Sequence, residues 1–213
     1  MTPPASDAAG ASPLALQPVV LASTSAVRAR ILAAAGVAFE AVSPRVDEFE
    51  IKESMRAEGA GAAEIADVLA EMKAHAASRR HPGRLVIGAD QVLALGDVQI
   101  DKPETREEAA AQLRLLRGRA HELVTVVCVV RDGERLWHHL GRARLWVRDF
   151  SDAWLERYLD AIGAAALWGP GAYQIEGLGA QLFARVDGDT FSVQGLPLLP
   201  LLDYLRTQGA LVP

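Results

Sequence analysis

The chain is poor in the features that most directly announce a function. Its 213 residues include one cysteine, Cys128, so an internal disulfide is excluded. No Cys/His cluster has zinc-ligand spacing, and VTVVCVV around Cys128 is the setting of a buried thiol. No apolar run approaches the roughly 18 residues that a membrane-crossing helix needs. Positive charge is scarce as well: 22 Lys and Arg stand against 27 Asp and Glu, a net charge of −5. Duplex nucleic acid is therefore excluded as a main partner, because gripping it takes a clustered basic footprint. A small anionic substrate stays open, since a few placed cations suffice for a phosphate. Residues 1–17, MTPPASDAAGASPLALQ, contain no Lys or Arg and no sustained apolar core. A disordered leader is expected there rather than a signal peptide, followed by one domain over 18–213 in a cytoplasmic protein. Also missing are a GxxxxGK[ST] phosphate loop, a GxGxxG fingerprint, HExxH and GxSxG. The five histidines form no ligand pattern, and adjacent His138 and His139 would face opposite sides of a strand.

Half of the residues are apolar and 23% are charged, the balance of a folded chain with a sizeable core. Val19-Val20-Leu21-Ala22 predicts a short buried strand running into Ser23-Thr24-Ser25, then an Ala-rich helix to Ala35 with Gly36 past its end. Phe39 to Val42 predicts a second strand, followed by an acidic stretch holding Asp47, Glu48, Glu50 and Glu53. Ile65, Val68, Leu69 and Met72 recur at helical spacing and predict a helix over Ala62 to Ser78. Leu85 to Leu95 has a strand pattern interrupted by Ala89-Asp90-Gln91, with a hairpin turn at Gly96-Asp97. Thr105 and Glu108 have capping-box spacing and open a helix that ends at Gly118. Two strands joined by Asp132-Gly133, a helix capped by Ser151, a glycine-rich turn segment, a strand over Leu182 to Val186 and a last helix over Leu198 to Gln208 follow. Alternating strands and helices with hairpins among them predict an α/β fold with a mixed sheet.

Asp90 is the most informative single residue. A carboxylate within an apolar strand is costly unless it is paired, metal-bound or in a cleft. It either caps neighbouring backbone at a sheet end, or orients a metal or activates water. Ser23-Thr24-Ser25, between strand and helix, offers free N–H groups and hydroxyls for a phosphate, or simply an N-cap. Arg28 stands in the first turn of that helix, where the positive dipole end disfavours a cation unless an anion binds between them. Lys73 follows the apolar face of its helix, and Pro103 stiffens the loop that presents Lys102. Each lysine alone also fits a solvated side chain. Asp47-Glu48 has oxygens for a hard divalent cation, or is a wet acidic loop.

Together these segments resemble the Maf family of nucleotide pyrophosphatases, once labelled septum formation inhibitors, from about Val19 to Leu205. The family's LASxSPRR is similar to Leu21-Ala22-Ser23-Thr24-Ser25-Ala26-Val27-Arg28, with Ala26 in place of proline. G-[AS]-D is matched by Gly88-Ala89-Asp90, KP by Lys102-Pro103, and L-x-G-x-x-H-x-V-x-T by the run Leu113 to Thr125. Gly171-Ala172-Tyr173 and Val193-Gln194-Gly195-Leu196-Pro197-Leu198 resemble the last two motifs. The resemblance implies an elongated mixed sheet in two lobes around a central cleft, often as a homodimer. It implies hydrolysis of a nucleoside triphosphate to the monophosphate and pyrophosphate with a divalent metal, magnesium or manganese. Asp90 would accept the proton of water; Ser23, Ser25, Arg28, Lys73 and Lys102 would hold phosphates; Glu48 and Asp90 would serve the metal.

Three positions differ from members acting on dTTP or UTP, which carry Arg, Thr and Gln there. This chain has Val27, Gln91 and Glu176, which resembles the branch acting on 7-methyl-GTP, although Val27 replaces a tryptophan seen in some of that branch. A dTTP/UTP pyrophosphatase and a non-catalytic nucleotide-binding regulator of cell division are the alternatives.

Overall fold

A computed structural model describes residues 12–213. Among them, strand β1 (Val19–Ala22) lies between β2 (Phe39–Val42) and the long β3 (Val86–Leu95), all three parallel. On its other flank β3 runs antiparallel to β5 (Ala120–Arg131), followed by β6 (Glu134–Val147) and β7 (Phe183–Asp187). The order is β2-β1-β3-β5-β6-β7, with β4 (Val98–Ile100) hairpinned onto β3. The expected α/β class and mixed sheet are present. No helix among the described residues is long and apolar enough to cross a membrane.

Seven α-helices flank the sheet among the described residues: α1 (Ala26–Ala34), α2 (Glu48–Ala57), α3 (Ala62–Ser78), α4 (Arg106–Leu116), α5 (Asp152–Ile162), α6 (Thr190–Val193) and α7 (Leu198–Thr207). Strand alternation sends Leu21 and Ile87 to one face, where they meet Ile31, Leu32 and Leu201 of α1 and α7. Val20, Val86 and Val126 go to the other face and meet Ile65 and Leu69 of α3. A separate core joins the far ends of β3, β5 and β6 to α4 and α5 through Leu93, Leu113, Leu123, Leu145 and Leu155. The separated cores form two lobes along one sheet. Cys128 is buried, as its surroundings imply, and burial pushes its thiol up to about 12.

Three expectations need correction. The acidic stretch is helical, not a loop: Asp47 accepts from Glu50 N–H as N-cap, and Glu48 and Glu50 suit the positive end of α2. The polar triplet does not interrupt β3, because β5 supplies a continuous ladder from Val86 to Ala94. In the segment read as a leader, residues 1–11 lie outside the described residues, but 12–17 carry contacts that a free leader would lack. Ala15 bridges to Leu211, and Leu16 N–H donates to the Ala210 carbonyl.

The site arises from a break on one flank of β3. There β1 pairs with Val86, Ile87 and Gly88, and β4 pairs with Leu93, Ala94 and Leu95. Residues 89–92 have no strand neighbour on that flank. The loop leaving β1 faces this gap at the carboxyl end of a parallel strand, where the sheet's connections diverge to opposite faces and open α/β sheets bind ligands.

Candidate active site

Asp90 and Gln91 lie in that gap, and the pleat sends them to opposite faces of β3. Asp90 faces α3, where its Oδ1 accepts from Lys73 Nζ at 2.6 Å. Lys73 Nζ also pairs with Glu48 Oε1 at 2.9 Å. Asp90 and Lys73 are each 4% exposed, whereas Glu48 is only half-buried at the start of α2. Asp90 Oδ2 is buried without a hydrogen-bond partner. Such an oxygen is costly in a resting fold and useful where a ligand, water or cation meets it.

Gly88 explains how α3 delivers Lys73. A Cβ at that position would collide with the Ala70 carbonyl oxygen and with Ala74. Glycine therefore lets the helix settle directly on β3, two residues from Asp90.

Ser25 Oγ caps α1 by accepting from Arg28 N–H at 3.4 Å, so its N-cap role is real. Buried Ser23 Oγ accepts from Ser25 N–H at 3.2 Å and from Arg28 Nη1 at 3.3 Å. Arg28 Nε donates to the Gly195 carbonyl at 2.7 Å, clamping the β1 loop to the chain after α6. Glycine is required at 195 because φ is +92°. Burial lowers the Arg28 pKa, against the attraction of Asp90 and Glu48. Lys102 enters the same cleft. Loss of surrounding water and repulsion from Arg28 lower its pKa, while Glu48 pulls the other way. Burial would raise the Glu48 carboxyl, but Lys73, Lys52 and Lys102 hold it below its ordinary value.

The cleft has two continuous parts. One is lined by residues 23–25 with Arg28, Glu48, Lys73 and Lys102, which makes it cationic and hydroxyl-rich. The other extends past Gln91 to Tyr173, Gln174 and Glu176 in one lobe and to Gly195 in the other. Val27 lines both parts. The sequence-predicted residues therefore converge on one cleft.

Gln91 Nε2 is committed to Thr125 Oγ1 at 2.8 Å and to the carbonyls of Ser192 and Val193 at 2.9 and 3.2 Å. These three oxygens set the orientation of its amide, leaving Oε1 as its acceptor. Glu176 Oε1 accepts from Arg30 Nη2 at 2.6 Å, so its charge is partly answered from α1. Glu176 Oε2 has no protein partner among the described residues.

Several lining residues escaped the sequence reading. Lys52 lies one helical turn after Glu48, on the same side of α2, and enters the cleft. Its Nζ donates to Asp101 Oδ1 at 2.8 Å, while Arg56 takes Asp101 Oδ2 at 2.6 Å. Asp101 thereby ties α2 to the loop that carries Lys102. Reading Asp47 as an N-cap would have found Lys52. Trp168 carried no local signal, nor did Arg30, which does not line the cleft and meets it through Glu176.

No three His, Cys, Asp or Glu side chains among the described residues are grouped to cage a metal. Unpartnered Asp90 Oδ2 and half-exposed Glu48 instead fit a hard cation such as magnesium, which takes one or two carboxylates and fills its shell with water and phosphate oxygens.

Comparison with known proteins agrees with this construction. A relative in Rhodospirillum rubrum named nucleoside triphosphate pyrophosphatase is 56% identical over 195 residues, 92% of this chain and 96% of the relative. Relatives of the same name in Paramagnetospirillum magneticum and Caulobacter vibrioides are each 52% identical. They cover 91% and 93% of this chain, and 100% and 99% of their own lengths. The family model described as Maf-like protein matches residues 18–208, and the chain belongs to that family.

Proposed function

We propose that this chain hydrolyses a nucleoside triphosphate between the α- and β-phosphates, releasing the monophosphate and pyrophosphate, with 7-methyl-GTP as the preferred substrate. The observation that carries the reaction is the unpartnered Asp90 Oδ2, buried on the floor of a cleft whose cations are Arg28, Lys52, Lys73 and Lys102. Water adds to the α-phosphorus, its proton passes to Asp90, and the bridging oxygen leaves with pyrophosphate. Lys73 holds the other Asp90 oxygen and so aims the free one. Arg28 and Lys102 meet the charge of the phosphate oxygens, which spreads in the transition state. The hydroxyls of residues 23–25 and the N–H groups of Thr24, Ala26 and Val27, which take no protein partner among the described residues at the start of α1, add neutral donors. Glu48 and Asp90 would hold a magnesium or manganese ion, which supplies further charge neutralisation at the phosphates when bound.

Base preference follows from acceptors. Gln91 offers Oε1 and Glu176 offers Oε2, two acceptors lining the same part of the cleft. Guanine presents adjacent N1–H and amino donors, whereas uracil and thymine present one donor between two acceptors. N7-methylation adds positive charge to the base, which favours a carboxylate neighbour even when Arg30 shares it.

The test is product analysis across 7-methyl-GTP, GTP, dTTP, UTP, CTP and ATP with magnesium. Pyrophosphate should be the first product, with the highest kcat/KM on 7-methyl-GTP. Glu176→Gln replaces a charge-assisted hydrogen bond by a neutral one and should cut that preference about tenfold. Orthophosphate as first product would overturn the cleavage assignment. A wild-type preference for a pyrimidine would overturn the base assignment alone.

A further inference from the structure

From the state of the four tryptophans we infer that Trp168 is the stacking face for the substrate's base, a specificity-determining role that rests on the nucleotide reading above. Three of them have an aromatic or cationic partner on the ring. Trp137 stacks on Tyr204 at 5.0 Å between centroids, and Trp154 on Tyr158 at 5.1 Å. Trp146 carries the guanidinium groups of Arg144 and Arg185 at 5.1 and 4.7 Å. Trp168 has neither an aromatic nor a cationic partner among the described residues, and it is 66% exposed. Exposure alone does not single it out, since Phe49 is more exposed still, but an open indole leaves a flat apolar face free for a planar ligand.

Trp168 is also placed for a ligand. It lines both parts of the cleft, as Val27 does, so it stands where the phosphate end meets the base end. Its backbone is fixed: Trp168 N–H donates to the Ala165 carbonyl, which also accepts from Gln174 Nε2 at 2.6 Å. Gln174 and Trp168 thus share one anchor on the wall that ends in Glu176. Val27 projects from α1 in the opposite lobe and brings only an aliphatic surface. A base between them would have Trp168 on one face, Val27 on the other, and its hydrogen-bonding edge toward Gln91 and Glu176. An aromatic face holds any base, and holds a cationic 7-methylguanine most tightly because the ring's negative face attracts charge.

Trp168→Ala and Trp168→Phe test this when compared with wild type by KM for 7-methyl-GTP, by Ki for tripolyphosphate, which has no base, and by nucleotide quenching of tryptophan fluorescence. Loss of stacking should raise the Trp168→Ala KM roughly tenfold, with tripolyphosphate Ki unchanged. Trp168→Phe should keep KM near wild type yet lose most of the quench. An unchanged KM in Trp168→Ala, or a Ki that rises as much as KM, would overturn the stacking role. If wild type released no pyrophosphate from any nucleotide, the hydrolase reading would fail separately. The quench and its loss in Trp168→Phe would still decide Trp168, with equal quenching in both proteins counting against it.

Discussion

Replacing Lys73 by Met probes the buried pair on which the cleft floor depends. Lys73 and Asp90 are 2.6 Å apart and almost fully enclosed, so the substitution leaves a carboxylate without its closest cation in a poorly solvated place. Removing one partner of a buried pair costs about 3–5 kcal/mol, mostly because the remaining charge is stranded. Arg28 and Lys102 also act on this site and soften the loss, so about 3 kcal/mol is expected. The double variant Lys73→Met/Asp90→Asn removes both charges and should recover much of that, because an amide and a thioether no longer strand a charge. Urea unfolding of the four proteins, with equal m-values as the check on two-state behaviour, yields the coupling energy directly. Additive effects, or a Lys73→Met loss below about 1 kcal/mol, would refute the claim that these residues act as one unit.

Two further perturbations test other parts of the structure. Gly88→Ala forces a Cβ into the Ala70 carbonyl and Ala74, so overpacking of about 1–3 kcal/mol is expected, with a larger loss of turnover as α3 lifts Lys73 from Asp90; wild-type activity in a folded Gly88→Ala protein would contradict that placement. His121 is buried against the Tyr173 hydroxyl at 2.7 Å, and burial lowers its pKa from 6.5 to about 4. The unfolded chain therefore binds the extra proton first, and stability should fall by about 3 kcal/mol between pH 6.5 and 4. His121→Gln should flatten that slope in unfolding measurements across the window, and an identical slope would count against it.

Much of the scaffold was readable locally. Helix α3 announced itself by periodicity over its full length, Ser25, Thr105 and Ser151 by capping, and the β5–β6 hairpin by Asp132-Gly133, both of which have positive φ. Each is a short-range signal that needs no knowledge of the rest of the chain. What failed to show was tertiary. Helix α2 turns only Ile51 and Met55 toward the α3 core and buries neither fully, so its apolar face is too short to stand out and its capping residue is the clearer mark. The polar triplet in β3 looked like a break because it lacks a neighbour on one flank, while β5 on the other flank keeps it a strand. Asp90, Lys73, Arg28 and Lys102 were legible as individual residues, and the family motifs predicted their convergence. The Arg30–Glu176 pair spans 146 residues, and no local pattern specifies it. Trp168 was equally silent, since its role depends on what the opposite wall lacks.

The most direct measurement compares pyrophosphate release by wild type and Asp90→Asn, with thermal unfolding and nucleotide binding followed in parallel. If Asp90 accepts the proton of the attacking water, turnover should fall by ~10²–10⁴, while the variant still folds and still binds nucleotide. Turnover near the wild-type rate in Asp90→Asn would remove this carboxylate from the reaction and leave the cleft a binding site whose catalytic group lies elsewhere.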